Sequence, residues 1–141
     1  MGNVISATTR FGRSEGARDR FLTSAHDLIE HAQGYIEAED WALAMESAYQ
    51  AALRTAGARI ASSPVIARRK RLPTSAWERL VLVDERGAEW SRELSRYSGL
   101  RSRVANGIVP RPDPAVVLAL FSAARQFLAE VDAEAGWLSV A

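Results

Sequence analysis

The sequence predicts an all-α protein, an up-and-down bundle of four main helices. Three observations carry this. Apolar residues recur at three- and four-residue spacing in four separate stretches, and no stretch alternates with period two. Turn residues separate the stretches. One segment, Asp40 to Ala61 (DWALAMESAYQAALRTAGARIA), carries alanine on nearly every face and has only Gly57 to weaken it. Alanine has the highest helix propensity, and small side chains let neighbouring helices approach closely. This segment is the expected central helix.

Residues 1–13 read as a flexible N-terminal tail and 14–141 as a single helical domain. The first helix is expected over Ala17 to Ala38, capped near Ser14. Phe21, Leu22, Ala25, Leu28, Ile29, Ala32 and Ile36 form its buried stripe. Gly34 weakens its last turn. The connection through Glu37-Ala38-Glu39-Asp40 is so short that the first two helices must be antiparallel neighbours, with Asp40 as the N-cap of the second. Ser62-Ser63-Pro64 ends that helix, and a basic loop, Val65 to Pro73, follows.

Ser75 with Glu78 has the spacing of a capping box and opens a third helix, expected to run unbroken from Ala76 to about Tyr97. Leu80, Val83, Gly87, Trp90, Leu94 and Tyr97 line its buried face, and Ser98-Gly99 is its expected stop. A loop then carries Arg101, Arg103 and Arg111, with a turn at Asn106-Gly107. Asp113-Pro114 opens the fourth helix, which extends to about Ala135 on Val117, Leu120, Phe121, Ala124, Phe127, Leu128 and Val131. Gly136 is its expected stop, with Trp137-Leu138 folding back.

The composition is that of an ordinary globular domain. Cysteine is absent, which excludes disulfides and thiolate metal sites and fits a reducing, cytoplasmic location. No apolar run of bilayer-spanning length and no secretory leader is read, so no membrane association is expected. Met1 to Ser6 formally fits an N-myristoylation pattern, but so short a pattern recurs by chance and a loose terminus is preferred.

The net charge of +1 is too small to imply nucleic acid by itself. Its distribution says more. Between Phe21 and Leu53 there is no basic residue but Asp27, Glu30, Glu37, Glu39, Asp40 and Glu46 are acidic. Between Ser47 and Trp77 there is no acid but Arg54, Arg59, Arg68, Arg69, Lys70 and Arg71 are basic. Two solvated surfaces that complement each other across the bundle or between subunits are the plain reading, and an anion-binding edge at 68–71 is the sharper one. In an up-and-down bundle the acidic turn shares one end with the Arg101–Arg111 loop, and Arg68–Arg71 lies at the other.

The short acidic turn, the segment DWALAMESAYQAALRTAGARI with Trp41 and Tyr49, the basic loop and the two further helices together resemble the HEPN (higher eukaryotes and prokaryotes nucleotide-binding) domain. The resemblance is to a small, free-standing actinobacterial branch and covers Ala17 to Ala135. It implies an all-helical bundle that often dimerises, so a homodimer is expected. Many members of the superfamily cut RNA without a metal, using an arginine followed roughly four to six residues later by a histidine in the C-terminal half. Here the only histidines are His26 and His31, on the first helix, and none follows Arg96, Arg101, Arg103 or Arg125. Arg20 and His26 have the spacing in the wrong helix.

Other chemistry is sparse. His26, Asp27, Glu30 and His31 share helix faces, but their spacing is not that of the di-metal bundles, and a solvated face explains them. No metal and no cofactor is expected. Trp41, Tyr49, Trp77, Trp90 and Tyr97 fall at core spacing, which leaves Trp137 as the aromatic for an interface. The resulting expectation is a non-catalytic HEPN-like module that binds RNA, a nucleotide or a protein partner. Arg68, Arg69, Lys70, Arg71, Arg101 and Arg103 are its candidate anion contacts. The alternatives are a metal-independent ribonuclease using Arg20 and His26, and a purely structural protein–protein adaptor.

Overall fold

Asp40 accepts the backbone N–H of Leu43 at 3.2 Å, and around it the chain reverses direction. This turn joins α1 (Gly2–Glu37) to α2 (Trp41–Ala61). Glu39 adopts φ +57°, the left-handed conformation that so tight a reversal requires. The structure is a computed structural model that describes the backbone of residues 2–140 and the side chains of 12–136. The remaining elements are α3 (Pro64–Ala67), α4 (Ala76–Val83), α5 (Glu85–Ser95), α6 (Ser98–Ala105) and α7 (Pro114–Val140). Among the described residues there is no strand.

The all-α bundle is as expected, and α2 is its centre. Ala44, Ala48, Ala51, Ala52, Ala56 and Ala58 are buried along it, so α1, α4 and α7 all pack directly on its backbone. Gly57 serves the same end. A Cβ there would lie 2.7 Å from the Phe21 ring, so α1 reaches α2 only because position 57 is bare. Thr55, fully buried, donates its hydroxyl to the Ala51 carbonyl at 2.9 Å and leaves no orphaned group. Phe127, Leu120, Val117, Leu128 and Val131 supply the core face of α7.

The third helix is not continuous. Asp84 breaks it with extended backbone, φ −171° and ψ −178°, and its carboxylate accepts the Gly87 N–H at 2.7 Å to start α5 afresh. Contacts show that α4 and α5 fold back as a hairpin. Trp77 meets Tyr49 and Asp84 meets Arg59, so α4 runs parallel to α2. Arg86 meets Glu130 and Trp90 stacks on Phe127, so α5 runs antiparallel to α7. Ser91 closes the hairpin by donating to the Trp77 carbonyl at 2.9 Å. In one straight helix those residues would lie about 21 Å apart, at 1.5 Å per residue.

Other boundaries also move. Ser63, not Ser75, makes the side-chain cap in this region: its Oγ accepts the Ile66 N–H at 3.2 Å and starts α3 inside the expected loop, whereas Ser75 makes no capping bond. Ser98-Gly99 opens α6 rather than ending a helix, and Gly107 at φ +76° closes that element. Gly136 lies within α7 and does not stop it. Helical backbone begins at Gly2, ahead of the expected Ala17. The flexibility expected of residues 1–13 falls mostly on residues whose side chains lie outside those described, as does the fold-back of Trp137.

Contrary to the sequence reading, one stretch, Pro114–Gly136, is long and apolar enough to cross a membrane by length and composition alone. Its apolar face is the one that fills the bundle core.

Candidate functional site: a basic loop at the mouth of an arginine-floored cleft

Two hollows adjoin at the end of the bundle where α2 stops. One, of about 300 Å³, lies among Arg18, Arg59, Val83, Asp84, Val131 and Glu134. The other, of about 360 Å³, lies among Ser14, Glu15, Arg18 and Ala67. Arg18, Ser62, Ser63 and Pro64 line both. The N-terminal part of α1, the end of α2, α3 and the late part of α7 therefore build one cleft.

Its two arginines differ. The side chain of Arg59 is 9% exposed and saturated with carboxylate. Nη1 and Nη2 donate to the two oxygens of Asp84 at 2.8 Å each, and Nε donates to Glu134 at 3.3 Å. The Asp84 bonds, with Glu134 beside them, raise the Arg59 pKa further despite its burial, and Arg59 holds the Asp84 carboxyl below the usual carboxylate range. This arginine fastens α2 to the α4–α5 junction and to α7. Arg18 is equally buried, with 7% of its side chain exposed, but its partners are poor. Nε and Nη2 share one oxygen of the neighbouring Asp19 at 3.2 Å, and Glu15 stands 3.8 Å away.

Directly after Ala67 the chain emerges as Arg68, Arg69, Lys70 and Arg71, all exposed. Among the described residues none of them makes an ion pair; the Arg69 guanidinium reaches only the Arg71 carbonyl, at 3.5 Å. Within the chain, among the described residues, no ion pair joins the acidic run to the basic run. Glu46 pairs with Arg101, and Arg59 pairs with Asp84 and Glu134, so neither run neutralises the other.

The remaining candidates are not brought together. Arg101 lies on α6 with both Glu46 oxygens at 2.6 and 2.5 Å and its guanidinium over the Tyr49 ring. The Arg101 bonds lower the Glu46 pKa, and Arg101 rises in turn. This arginine clamps α6 to α2 and is engaged internally, whereas Arg103 is exposed. Nε2 of His26 meets Asp132 at 2.7 Å, which links α1 to α7. Arg20 lines a shallow surface hollow with Asp19 and Asp27 instead. Among the described residues no hydrogen bond joins Arg20 to His26. His26, Asp27, Glu30 and His31 are all exposed, and among the described residues no three His, Asp or Glu side chains converge. Tyr49, Trp77, Trp90 and Tyr97 are buried in the core as the spacing predicts, with Trp41 partly buried.

Arg18, Asp84 and Glu134 were not legible as site residues. An arginine near a helix start reads as solvated, and nothing local marks it as buried.

A family model described as SAV_6107-like HEPN matches residues 36–132. The match runs from the last turn of α1 into the late part of α7 and takes in more than half of the chain. No curated protein and no solved structure gives a significant match. With an all-helical bundle centred on α2 and a family match over most of it, the chain belongs to the HEPN superfamily, in its SAV_6107-like branch.

Proposed function

We propose that this HEPN domain is a non-catalytic module that binds RNA through the basic loop 68–71. The observation that carries the reading is the run of four exposed cations, Arg68 to Arg71, with no carboxylate to neutralise it among the described residues. Elsewhere in the bundle Arg59, Arg86 and Arg101 are all bound by carboxylates. Cations left free at the surface attract phosphate and release its counterions on binding. The reading is supported by the sequence, in which no histidine follows Arg96, Arg101, Arg103 or Arg125; His26, which has the arginine spacing, instead pairs with Asp132 on α7.

The test is fluorescence anisotropy with labelled single-stranded RNA at low salt. If all four cations meet phosphates, the logarithm of affinity falls against the logarithm of salt with a slope of about −3. Replacing Arg68, Arg69, Lys70 and Arg71 by alanine removes at least about tenfold of the affinity. Unchanged affinity in that folded variant overturns the loop assignment. Cleavage that disappears in His26→Ala overturns the non-catalytic reading.

A further inference from the structure

The geometry points to a second site, distinct from the RNA-binding loop: Arg18 is the recognition group for a small oxyanion, a carboxylate or phosphate ester on an apolar body, in the cleft between α1, α3 and α7. The first ground is the contrast between the two buried arginines. A guanidinium offers five N–H donors in a planar fork. Arg59 places three of its nitrogens on two carboxylates. Arg18, no more exposed, places Nε and Nη2 on a single oxygen of Asp19, whose side chain is 65% exposed and faces water. Nη1 of Arg18 makes no hydrogen bond with any described residue and stays open to solvent, since no buried side-chain nitrogen or oxygen among them lacks a partner. A cation taken so far out of water is stable only with good partners, and a planar oxyanion matches the free edge of the fork.

The second ground is Ser63, which is 7% exposed and lines the same two hollows. Its oxygen already accepts the Ile66 N–H, so it is held in place, while its own hydroxyl proton has no acceptor among the described residues. Two donors thus line one cleft with capacity to spare. The acids oppose an anion there only in part: Asp84 and Glu134 share Arg59, which offsets one of their two charges, and Glu15 stands in the outer hollow 3.8 Å from Arg18. Val65, Val83, Val131 and Pro64 supply apolar wall for the body of the ligand. The cleft volume of about 300 Å³ suits a molecule of one ring and one acidic group.

The test uses phenyl phosphate, benzoate and inorganic phosphate as probes, followed by amide chemical shifts of the whole chain. Saturable shifts confined to the cleft lining, residues 14–18, 59–67, 83–84 and 131–135, with phenyl phosphate or benzoate support the site, and the stronger of the two names the oxyanion. Shifts elsewhere, or none at millimolar probe, overturn it. Arg18→Lys keeps the charge but loses the fork, and its affinity for the probe falls at least about tenfold. Unaltered affinity in folded Arg18→Lys also overturns the proposal. The shift map of the natural chain decides the matter even where a variant fails to fold. The quadruple alanine variant of loop 68–71 retains probe binding, which separates failure of this site from failure of the RNA reading.

Discussion

Arg59 and Asp84 face each other through two parallel hydrogen bonds of 2.8 Å, although 25 residues separate them in sequence. The pair does two things at once. It neutralises a buried guanidinium at the end of α2, and it fixes the residue whose extended backbone turns α4 into α5. Asp84→Ala removes the α5 cap and leaves Arg59 with Glu134 alone. A loss of about 2 kcal/mol is expected in urea unfolding. Asp84→Asn keeps the capping oxygen and should lose less; equal losses would show that the cap contributes nothing, and no loss in Asp84→Asn that the charge contributes nothing.

Gly87 is the companion of that turn. A Cβ at this position would lie 2.3 Å from the Leu80 carbonyl oxygen, which is backbone and cannot swing aside. Gly87→Ala therefore forces the α4–α5 hairpin open, and a destabilisation of about 3 kcal/mol is expected. Gly34→Ala is the control. Nothing lies within 4 Å of its Cβ and the backbone there is helical, so stability should rise by about 0.5–1 kcal/mol. Thermal unfolding of the two variants reads both signs.

The buried hydrogen bond from Trp77 Nε1 to the Tyr49 hydroxyl, 3.0 Å long, ties α4 to α2. The two rings also meet edge to face. Tyr49→Phe keeps the ring contact and orphans the indole N–H. A loss of about 1–2 kcal/mol is expected, larger than a surface Tyr→Phe change would give. Tryptophan fluorescence should shift with it, and a neutral result would mean that water reaches Trp77.

The parts of the fold legible in the sequence were those written locally. Asp40 and the alanines of α2 declare both the start of that helix and its central place. The break at Asp84 was hidden, because the apolar spacing of Leu80, Val83, Gly87, Trp90 and Leu94 runs on as though the helix were continuous. Only the capping pair Asp84 and Gly87 hints at a restart, and its meaning depends on Arg59 in another helix. The basic loop 68–71 was legible for the opposite reason: exposed charges need no partner to be seen. Arg18 was not, since burial of an arginine near a helix start is decided by what α2, α3 and α7 place around it.

Acid should loosen these fastenings in a definite order of cause. Glu46, Asp84 and Glu130 all have pKa values lowered in the folded state. For Glu46 and Asp84 the leading cause is the hydrogen bond from Arg101 or Arg59. For Glu130, burial pushes upward and is outweighed by hydrogen bonds from Arg86 and Trp90 together with the nearby arginine charges. A carboxyl with a depressed folded pKa contributes stability that is fully present above its unfolded value, near about 4. That contribution is lost as pH falls through the folded value. The urea midpoint should therefore hold steady from about pH 7 to 5 and drop steadily below about pH 4. In a Glu46→Gln, Asp84→Asn double variant the drop should be shallower, because fewer protons are taken up on unfolding. The arginine partners stay charged throughout, so no compensating rise is expected on the acid side. A natural chain whose midpoint is as high at pH 3 as at pH 6 would mean that these pairs do not hold the bundle together.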